Sequence, residues 1–411
     1  MKRLAHERKQ YTVNNIIPAA LLLVFTSFFT TSLHAKGIAL DSIYISRTSP
    51  VYTRLLHARL DSYSAVSAAY ADKSIISAEW ITGNDIVYIK ELDSGLNMVY
   101  RYSIHSRKKR SIFRFRGTLI AERILQKAGF MVIKYFDASH PPRVKTILLD
   151  CNSGKAAHLP LGKPSIDFTV TPGGSALLFY SGNGIYSMDT SIRTHHLKIP
   201  AATLRRYTSG GNPVLLFQSP AGNNSLFLDG EAGSYRGIIK TGHKTTVIKD
   251  ITSSTELFWT DNNSILYRNG GPGSYNVVLH EINTGRSRYL LKGSIDTCIT
   301  YQHDAQTAAF CRDQMLYLFD TTTGDTSFTG LETDEARIAP GGQYLSSLLY
   351  GKLFILNRNQ LLKKQVILGR YWKKLLSLYT YAGKKKEWHK NGYSSRYIAR
   401  RKNIYRKLLS E

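Results

Sequence analysis

The residue types best suited to chemistry lie in the last 60 positions, where basic and aromatic side chains alternate. From Lys352 to Glu411 there are 17 Lys and Arg against two acids, a net charge of +15 out of +26 for the whole chain. Basic groups beside aromatic rings suit an anionic surface, because each Lys or Arg near anionic lipid contributes on the order of 1 kcal/mol. The predicted partner- or anion-binding residues are Tyr371, Trp372, Lys373, Lys374, Lys384, Lys385, Lys386, Arg400, Arg401 and Lys402.

Groups for catalysis or metal binding are sparse. The sequence has no HExxH helix, GxxxxGK[ST] loop, GxSxG elbow, paired CxxC or Dx[DN]x[DN]G calcium loop. His195 and His196 are the most ligand-like pair, but neighbours on a strand point to opposite faces. Cys298 and Cys311 fall in one predicted hairpin. They are expected either to form a disulfide or to be two small buried side chains. We predict no catalytic residue, no metal site and no cofactor.

The strands that would position these residues are predicted from a repeat in the sequence. With 43% hydrophobic and 11% aromatic residues, the chain of 411 residues is too apolar for a disordered protein. A short apolar strand ending in Asp, Asn or His recurs seven times at spacings of 45, 39, 40, 54, 37 and 37 residues. The signatures are Tyr102–His105, Ile147–Asp150, Tyr186–Asp189, Leu226–Asp229, His280–Asn283, Tyr317–Asp320 and Phe354–Asn357. A period of this length is typical of one four-stranded propeller blade per repeat.

Turn residues agree with that period. Thr171-Pro172-Gly173-Gly174 and Pro340-Gly341-Gly342 precede apolar strands, and Pro and Gly supply the backbone angles of tight turns. Thr322-Thr323-Gly324-Asp325 is typical of a hairpin between two strands. The fold class predicted is all-β: a β-propeller of seven four-stranded blades with a basic, partly helical C-terminal extension. The 54-residue interval between Asp229 and Asn283 leaves room for one further short blade.

The stretch Val170 to Asp189 resembles the TolB-like and WD40-like propeller repeats of exported bacterial proteins. Pro172-Gly173-Gly174 stands where that family has Pro-Asp-Gly, and Ile185-Tyr186-Ser187-Met188-Asp189 matches the family's Ile-Tyr-x-Met-Asp strand. The resemblance covers residues 74–369 and implies a propeller with a binding role in the cell envelope. The 38 residues from Lys36 to Lys73 are too few for the α/β domain of TolB itself.

The N-terminus carries an export signal. Residues 1–15 are basic, an uncharged apolar run extends from Ile16 to Leu33, and Ala35 is a small residue suited to cleavage. The alternative is a retained anchor, since the apolar run is just long enough to cross a bilayer. The predicted organisation is a signal peptide or anchor over 1–35, an N-terminal segment over 36–73, the propeller over 74–369 and the extension over 370–411. Gly37 to Ile45 is a candidate ring-closing strand within the N-terminal segment.

These features predict an exported, non-catalytic propeller that acts as a binding or scaffold protein in the periplasm or cell envelope. The expected partner is an envelope protein, with an anionic membrane surface or envelope polymer at the extension, and export argues against nucleic acid. The alternative is a propeller enzyme, a hydrolase or lyase, which clustered His, Asp, Glu or Arg at one channel mouth would favour. A helix over Tyr371 to Ala382 belongs to the extension. Either it docks a partner, so that removing residues 371–411 leaves the propeller folded, or it packs on the propeller's side.

Overall fold

The computed structural model describes residues 69–70, 74–358 with short gaps, five helical positions within 373–380, and 395–410. The gaps are 94, 138–142, 160–167, 172–173, 182–183, 190–194, 205–214, 232–233, 243, 255, 272–273, 295–296, 313–314 and 350. The predicted signal sequence, its predicted cleavage position and the strand expected over 37–45 lie outside the described residues. No helix among the described residues is long and apolar enough to cross a membrane.

The chain begins its described part with β1 and then forms consecutive antiparallel sheets of four strands each. The first sheet contains β2 to β5 and the second β6 to β9, in chain order. The bounds are β1 (Ala69–Tyr70), β2 (Ile75–Trp80), β3 (Asp85–Asp93), β4 (Leu96–Ser103), β5 (Lys109–Arg116), β6 (Thr118–Leu125), β7 (Phe130–Asp137), β8 (Arg143–Asp150) and β9 (Ala156–His158).

The middle of the chain continues in the same pattern. The third sheet contains β10 to β13, and an eight-stranded sheet contains β14 to β21. The latter has two halves, β14–β17 and β18–β21, which are joined by the single pair Ile251 and Asn269. The bounds are β10 (Phe168–Val170), β11 (Ala176–Ser181), β12 (Gly184–Asp189), β13 (His195–Pro200), β14 (Leu215–Gln218), β15 (Asn224–Glu231), β16 (Ser234–Thr241), β17 (Lys244–Ile251), β18 (Leu257–Trp259), β19 (Ser264–Asn269), β20 (Tyr275–Glu281) and β21 (Ser287–Ser294).

The last two sheets end the series and connect it to the N-terminal segment. The fifth sheet contains β22 to β25, and the last sheet has the order β26, β27, β28, β1. Its outer strand therefore comes from residues 69 and 70, which pair with Ile355 and Phe354. The bounds are β22 (Thr297–Gln302), β23 (Thr307–Arg312), β24 (Met315–Asp320), β25 (Thr326–Glu332), β26 (Glu335–Ile338), β27 (Tyr344–Leu349) and β28 (Lys352–Asn357).

Helix is rare between the strands. A 3-10 turn spans Gln126–Ala128, α1 spans Ala201–Leu204, and α2 spans Ser395–Ser410. The described positions within the helix expected over 371–382, namely 373, 376, 377, 379 and 380, are helical. Consecutive four-stranded antiparallel sheets with so little helix are the arrangement of a β-propeller.

The turns follow the expected chemistry. Gly342 donates its N–H to Ala339 O at 2.9 Å, and both Gly341 and Gly342 have positive φ, at 76° and 72°. Gly324, with φ of 75°, donates to Asp320 O at 2.9 Å in the hairpin between β24 and β25. These left-handed positions cost glycine no steric energy, which explains why the sequence places it there.

The fourth repeat signature occupies a different strand of its group from the other six. Leu226 to Asp229 lies on β15, the second strand of its group, whereas the other six signatures end at or just after a third strand. The long interval that follows it therefore spans parts of two groups of four strands, β14–β17 and β18–β21. It holds no additional group among the described strands.

Apolar clusters lie between neighbouring sheets. Val87 and Phe115 of the first sheet pack with Met131 of the second. On its other side the first sheet contacts the last sheet, where Trp80 and Tyr88 pack with Leu353, although the two sheets are far apart in the chain. Each fully buried side chain of this size contributes roughly 1.5 to 3 kcal/mol. The first and last sheets are thus held together by a shared core.

Candidate functional site

Charged side chains meet where the first strands of three sheets come together. Arg337, on β26 of the last sheet, places Nη1 2.6 Å from Glu79 Oε1 of β2. Its Nη2 lies 2.6 Å from Glu335 Oε1 and 3.8 Å from Glu122 Oε1 of β6, and its Nε donates to Glu335 Oε1 at 2.8 Å. Glu335 and Arg337 are two residues apart on one strand and share a face. We call Glu79, Glu122, Glu335 and Arg337 the carboxylate cluster.

Burial controls the protonation of this cluster. Glu79 is 6% exposed, and burial raises its pKa from 4.5 to about 7, although Arg337 lowers it. Burial lowers the pKa of Arg337, but Glu335, Glu79 and Glu122 raise it by more, so the guanidinium stays charged. A carboxyl group with a pKa near neutrality exchanges its proton at physiological pH, which is a property of general acids and bases.

Neighbouring side chains fix the cluster in place. Ser77 Oγ donates to Glu122 Oε1 at 2.7 Å, and Trp80 Nε1 lies 3.1 Å from Arg337 O and 3.0 Å from Ser346 Oγ. Ser77 is 1% exposed, so its hydroxyl is not accessible to a substrate. The cluster therefore has the geometry of a polar contact that holds sheets together, and Ser77 with Glu122 does not form an accessible nucleophile and base.

Further polar contacts join first strands across the sheets. Thr300 Oγ1 of β22 donates to Ala336 O of β26 at 2.7 Å, and Thr169 Oγ1 of β10 donates to Leu216 O of β14 at 2.6 Å. Gln126 and Gln302 form a reciprocal amide pair, at 3.2 and 3.3 Å, between the second and fifth sheets. These contacts join the first strands of neighbouring sheets, and the amide pair joins the second and fifth sheets, which are far apart in the chain.

The other predicted chemical residues are not assembled into a site. His195 and His196 begin β13, and His196 is exposed. Cys298 and Cys311 lie directly opposite each other on β22 and β23, and neither forms a disulfide. Within the described part of the chain, no group of three His, Cys, Asp or Glu residues could hold a metal ion.

The C-terminal extension is attached to the body through a buried acid. Glu332, at the end of β25, accepts hydrogen bonds at Oε1 from Tyr379 Oη at 2.9 Å and from Tyr405 Oη at 2.8 Å. The two rings stack with centroids 6.0 Å apart, and both are fully buried in the core cluster between the fifth and last sheets. Arg401 Nη1 lies 3.7 Å from Glu332 Oε1. We call Glu332, Tyr379, Arg401 and Tyr405 the helix anchor.

This anchor bears on two expectations. Arg401 is 2% exposed and faces Glu332, so it is removed from the predicted docking residues. The tyrosines belong to the core, which favours the alternative in which the helix packs on the propeller's side, and we now expect removal of residues 371–411 to destabilise the fold. Of the other predicted residues, Lys373 and Arg400 are exposed and Lys402 is half-buried. Those whose surroundings lie outside the described residues are Tyr371, Trp372, Lys374, Lys384, Lys385 and Lys386.

Comparisons with known proteins return structures only. No family model and no curated protein matches the chain. Hydrazine synthase from Kuenenia stuttgartiensis is 12% identical with a TM-score of 0.48, over 68% of this chain and 93% of that chain. TolB from Acinetobacter baumannii is 18% identical with a TM-score of 0.41, over 59% and 62%. Oligogalacturonate lyase from Vibrio parahaemolyticus is 9% identical with a TM-score of 0.45, over 70% and 91%.

These similarities are too low to carry an inference about activity or partners. The assignment of a β-propeller rests on the chain's own sheets, and the resemblance to TolB-like repeats stays a prediction. Sequence reasoning missed the carboxylate cluster, although Glu79 and the pair Glu335 and Arg337 interrupt strands that are otherwise mostly apolar or small.

Proposed function

We propose that the sheets close into a ring of seven four-stranded blades. Counting the two halves of the eight-stranded sheet separately gives seven groups of four strands, with β1 completing the last. The core shared by the first and last sheets and the Gln126–Gln302 pair across the interior support closure. In this ring the first strands line the central channel, and the carboxylate cluster lies on its wall.

We further propose that the protein is an exported, non-catalytic binding protein of the cell envelope. The observation that carries the binding role is the two-sided character of α2. Its buried face, with Ile398, Arg401 and Tyr405, is fixed to the body, whereas Arg400, Arg406 and Lys407 are exposed. A helix held in this way presents a fixed basic surface to an acidic protein or an anionic membrane.

The carboxylate cluster supports a non-catalytic channel. Its three carboxylates converge on one guanidinium and are largely excluded from solvent, so a substrate has little access to them. Export rests on the basic, apolar and small-residue pattern of the N-terminus, with a mature chain starting near Lys36.

Fractionation and capture test this function together. Envelope and cytosolic fractions are probed for the protein, and its mature N-terminus is read by mass spectrometry. Tagged wild type and an Arg400→Gln, Arg406→Gln, Lys407→Gln variant are then used to capture proteins and anionic vesicles across a salt series. The matched control is Lys244→Gln with Lys249→Gln on β17, which removes exposed charge elsewhere. Cytosolic full-length protein, or equal capture by the α2 variant, would contradict the proposal.

An enzyme is the second candidate, and one observation favours it. Glu79 combines a pKa of about 7 with the fixed positive charge of the neighbouring Arg337, and a proton-exchanging acid beside a cation is an arrangement that a propeller hydrolase or lyase can use near its channel. Turnover of ester, peptide or polysaccharide substrates is compared for wild type and Glu79→Gln. Activity that titrates near pH 7 and disappears in the variant would establish this candidate; inactivity of both proteins would remove it.

A further inference from the structure

A second basic surface lies on the outer strand of the first sheet. Six basic side chains, all exposed, occupy β5 and the turn before it. The chain has no Asp or Glu between Ser94 and Ala121. We call these six residues the basic rim: Arg107, Lys108, Lys109, Arg110, Arg114 and Arg116.

Two positively charged side chains are neighbours across the strands at this rim. Arg110 lies directly opposite Arg101 in the pairing of β5 with β4, and like charges in that position destabilise a sheet. Both guanidiniums donate to Asn152 of the second sheet: Arg101 Nη1 to Oδ1 at 2.5 Å, and Arg110 Nη2 to the carbonyl oxygen. Asp85 Oδ2 lies 3.3 Å from Arg101 Nη2. An added carboxylate near Arg110 would relieve the repulsion and accept two parallel hydrogen bonds.

The shape of the rim indicates an extended ligand. From Lys108 to Arg116 the residues run along a hairpin end and one strand, a length of about 26 Å at ~3.3 Å per residue. The register with β4 places Lys109, Arg114 and Arg116 on one face of the strand and Arg110 on the other. The rim therefore presents charge to both sides of an edge one strand wide, which fits an extended chain better than a flat bilayer. Four of its six residues are arginine, whose planar group matches carboxylates in pairs.

Backbone pairing does not explain the site. The turn of the second sheet approaches the middle of β5 so closely that a Cβ on Gly154 would lie 2.5 Å from Ile112 O. An incoming strand therefore could not pair along the whole edge of β5. Side chains must supply the recognition.

We propose that the basic rim docks an extended acidic segment of a partner protein. This inference rests on the proposed binding function and names the chemistry of its partner. The rim and the exposed face of α2 are two separate basic surfaces, so each can be altered without the other.

Fluorescence anisotropy with purified protein tests the rim directly. The probe is a labelled Glu-rich peptide of about eight residues, the length that spans the rim. Substituting Arg107, Arg110, Arg114 and Arg116 by Gln should weaken binding about tenfold, since each exposed ion pair contributes a small, salt-screened share of the binding. Lys244→Gln with Lys249→Gln should leave binding unchanged. Circular dichroism confirms that both variants are folded.

Three further probes complete the design. A backbone N-methylated version of the peptide should bind equally well, whereas loss of its binding would overturn side-chain recognition. Phosphatidylglycerol vesicles and a single-stranded oligonucleotide should bind the rim more weakly than the peptide does; tighter binding of either would overturn the choice of an acidic protein. If the rim variant binds the peptide like wild type while the α2 variant loses capture, the rim proposal fails and the binding function stands. If fractionation places the protein in the cytosol, the proposed function fails independently of the peptide result.

Discussion

The helix anchor predicts a strong energetic coupling between Arg401 and Glu332. The two side chains are 2% and 1% exposed, so both charges are removed from water and each lies beside the opposite charge. Removing one member of a buried ion pair leaves an uncompensated charge and costs about 3 to 5 kcal/mol. Arg401→Met should therefore destabilise the folded protein by about 3 kcal/mol, near the low end because two tyrosine hydroxyls still donate to Glu332. Glu332→Gln should cost a similar amount, since it leaves the guanidinium buried.

The double variant separates the pair from its surroundings. Arg401→Met with Glu332→Gln removes both charges, and the Gln carbonyl can still accept hydrogen bonds from Tyr379 and Tyr405. We expect a cost of about 1 kcal/mol, far below the sum of the single variants. Arg400→Met is the matched control: its side chain is the exposed neighbour on the same helix, and its effect should stay within about 0.5 kcal/mol.

Urea unfolding followed by tryptophan fluorescence and circular dichroism measures these differences. The two signals should change together if the extension and the sheets unfold as one unit. Additive single effects, or an Arg401→Met variant as stable as Arg400→Met, would refute the buried ion pair. Deleting residues 371–411 removes both tyrosines and exposes Glu332, so the truncated chain should be less stable than any of these variants.

Three other predictions concern the sheets. The pKa of Glu79 is raised from 4.5 to about 7 in the folded state, so between pH 4.5 and 7 the folded protein binds a proton that the unfolded chain does not. The free energy of unfolding should therefore fall as the pH rises from about 4.5 to 7. Melting temperatures measured across this range should show the fall in wild type and a smaller one in Glu79→Gln. Treatment with glutathione disulfide should form a disulfide between Cys298 and Cys311, which face each other on neighbouring strands. Cys151 should stay reduced, because burial raises its pKa to about 12. Peptide mapping without reductant identifies the bonded cysteines, and a different pairing would show that the register is wrong. Gly117→Ala should lower the melting temperature sharply, because its Cβ would lie 2.2 Å from Phe136 O, whereas Gly242→Ala meets no atom within 4 Å and should pay only for its φ of 57°.

Short sequence patterns predict the strands and turns of the sheets well, but they do not predict the position of each strand within its sheet. Turns such as Pro340-Gly341-Gly342 and short apolar strands are encoded within a few residues, so they are visible in one sequence. The sequence of an apolar strand ending in Asp does not indicate whether that strand is the second or the third of its sheet. For this reason Leu226 to Asp229 is equivalent in sequence to the other six signatures, and only the pairing of β15 with both β14 and β16 shows that it is a second strand.

The carboxylate cluster could not be assembled from the sequence, because its four members, residues 79, 122, 335 and 337, come from three different sheets. Arg401 is a different case, since the signal was present. Ile398, Arg401 and Tyr405 are spaced by three and four residues and therefore share one helix face. Two of the three are apolar or aromatic, which indicates burial for the third, whereas its charge alone favours exposure.

The last sheet depends on side chains more than on strand pairing for its connection to the rest of the proposed ring. β1 contributes only two paired residues to it, whereas Arg337 connects it to β2 and β6. On its other side the helix anchor packs into the core that it shares with the fifth sheet. Both attachments use an arginine and buried carboxylates, so these arginines contribute to the net charge of +26 without being available to a partner. The charge that can attract an acidic partner is therefore the exposed part, on the basic rim and α2, and neutralising those surfaces should change binding while leaving the stability of the sheets intact.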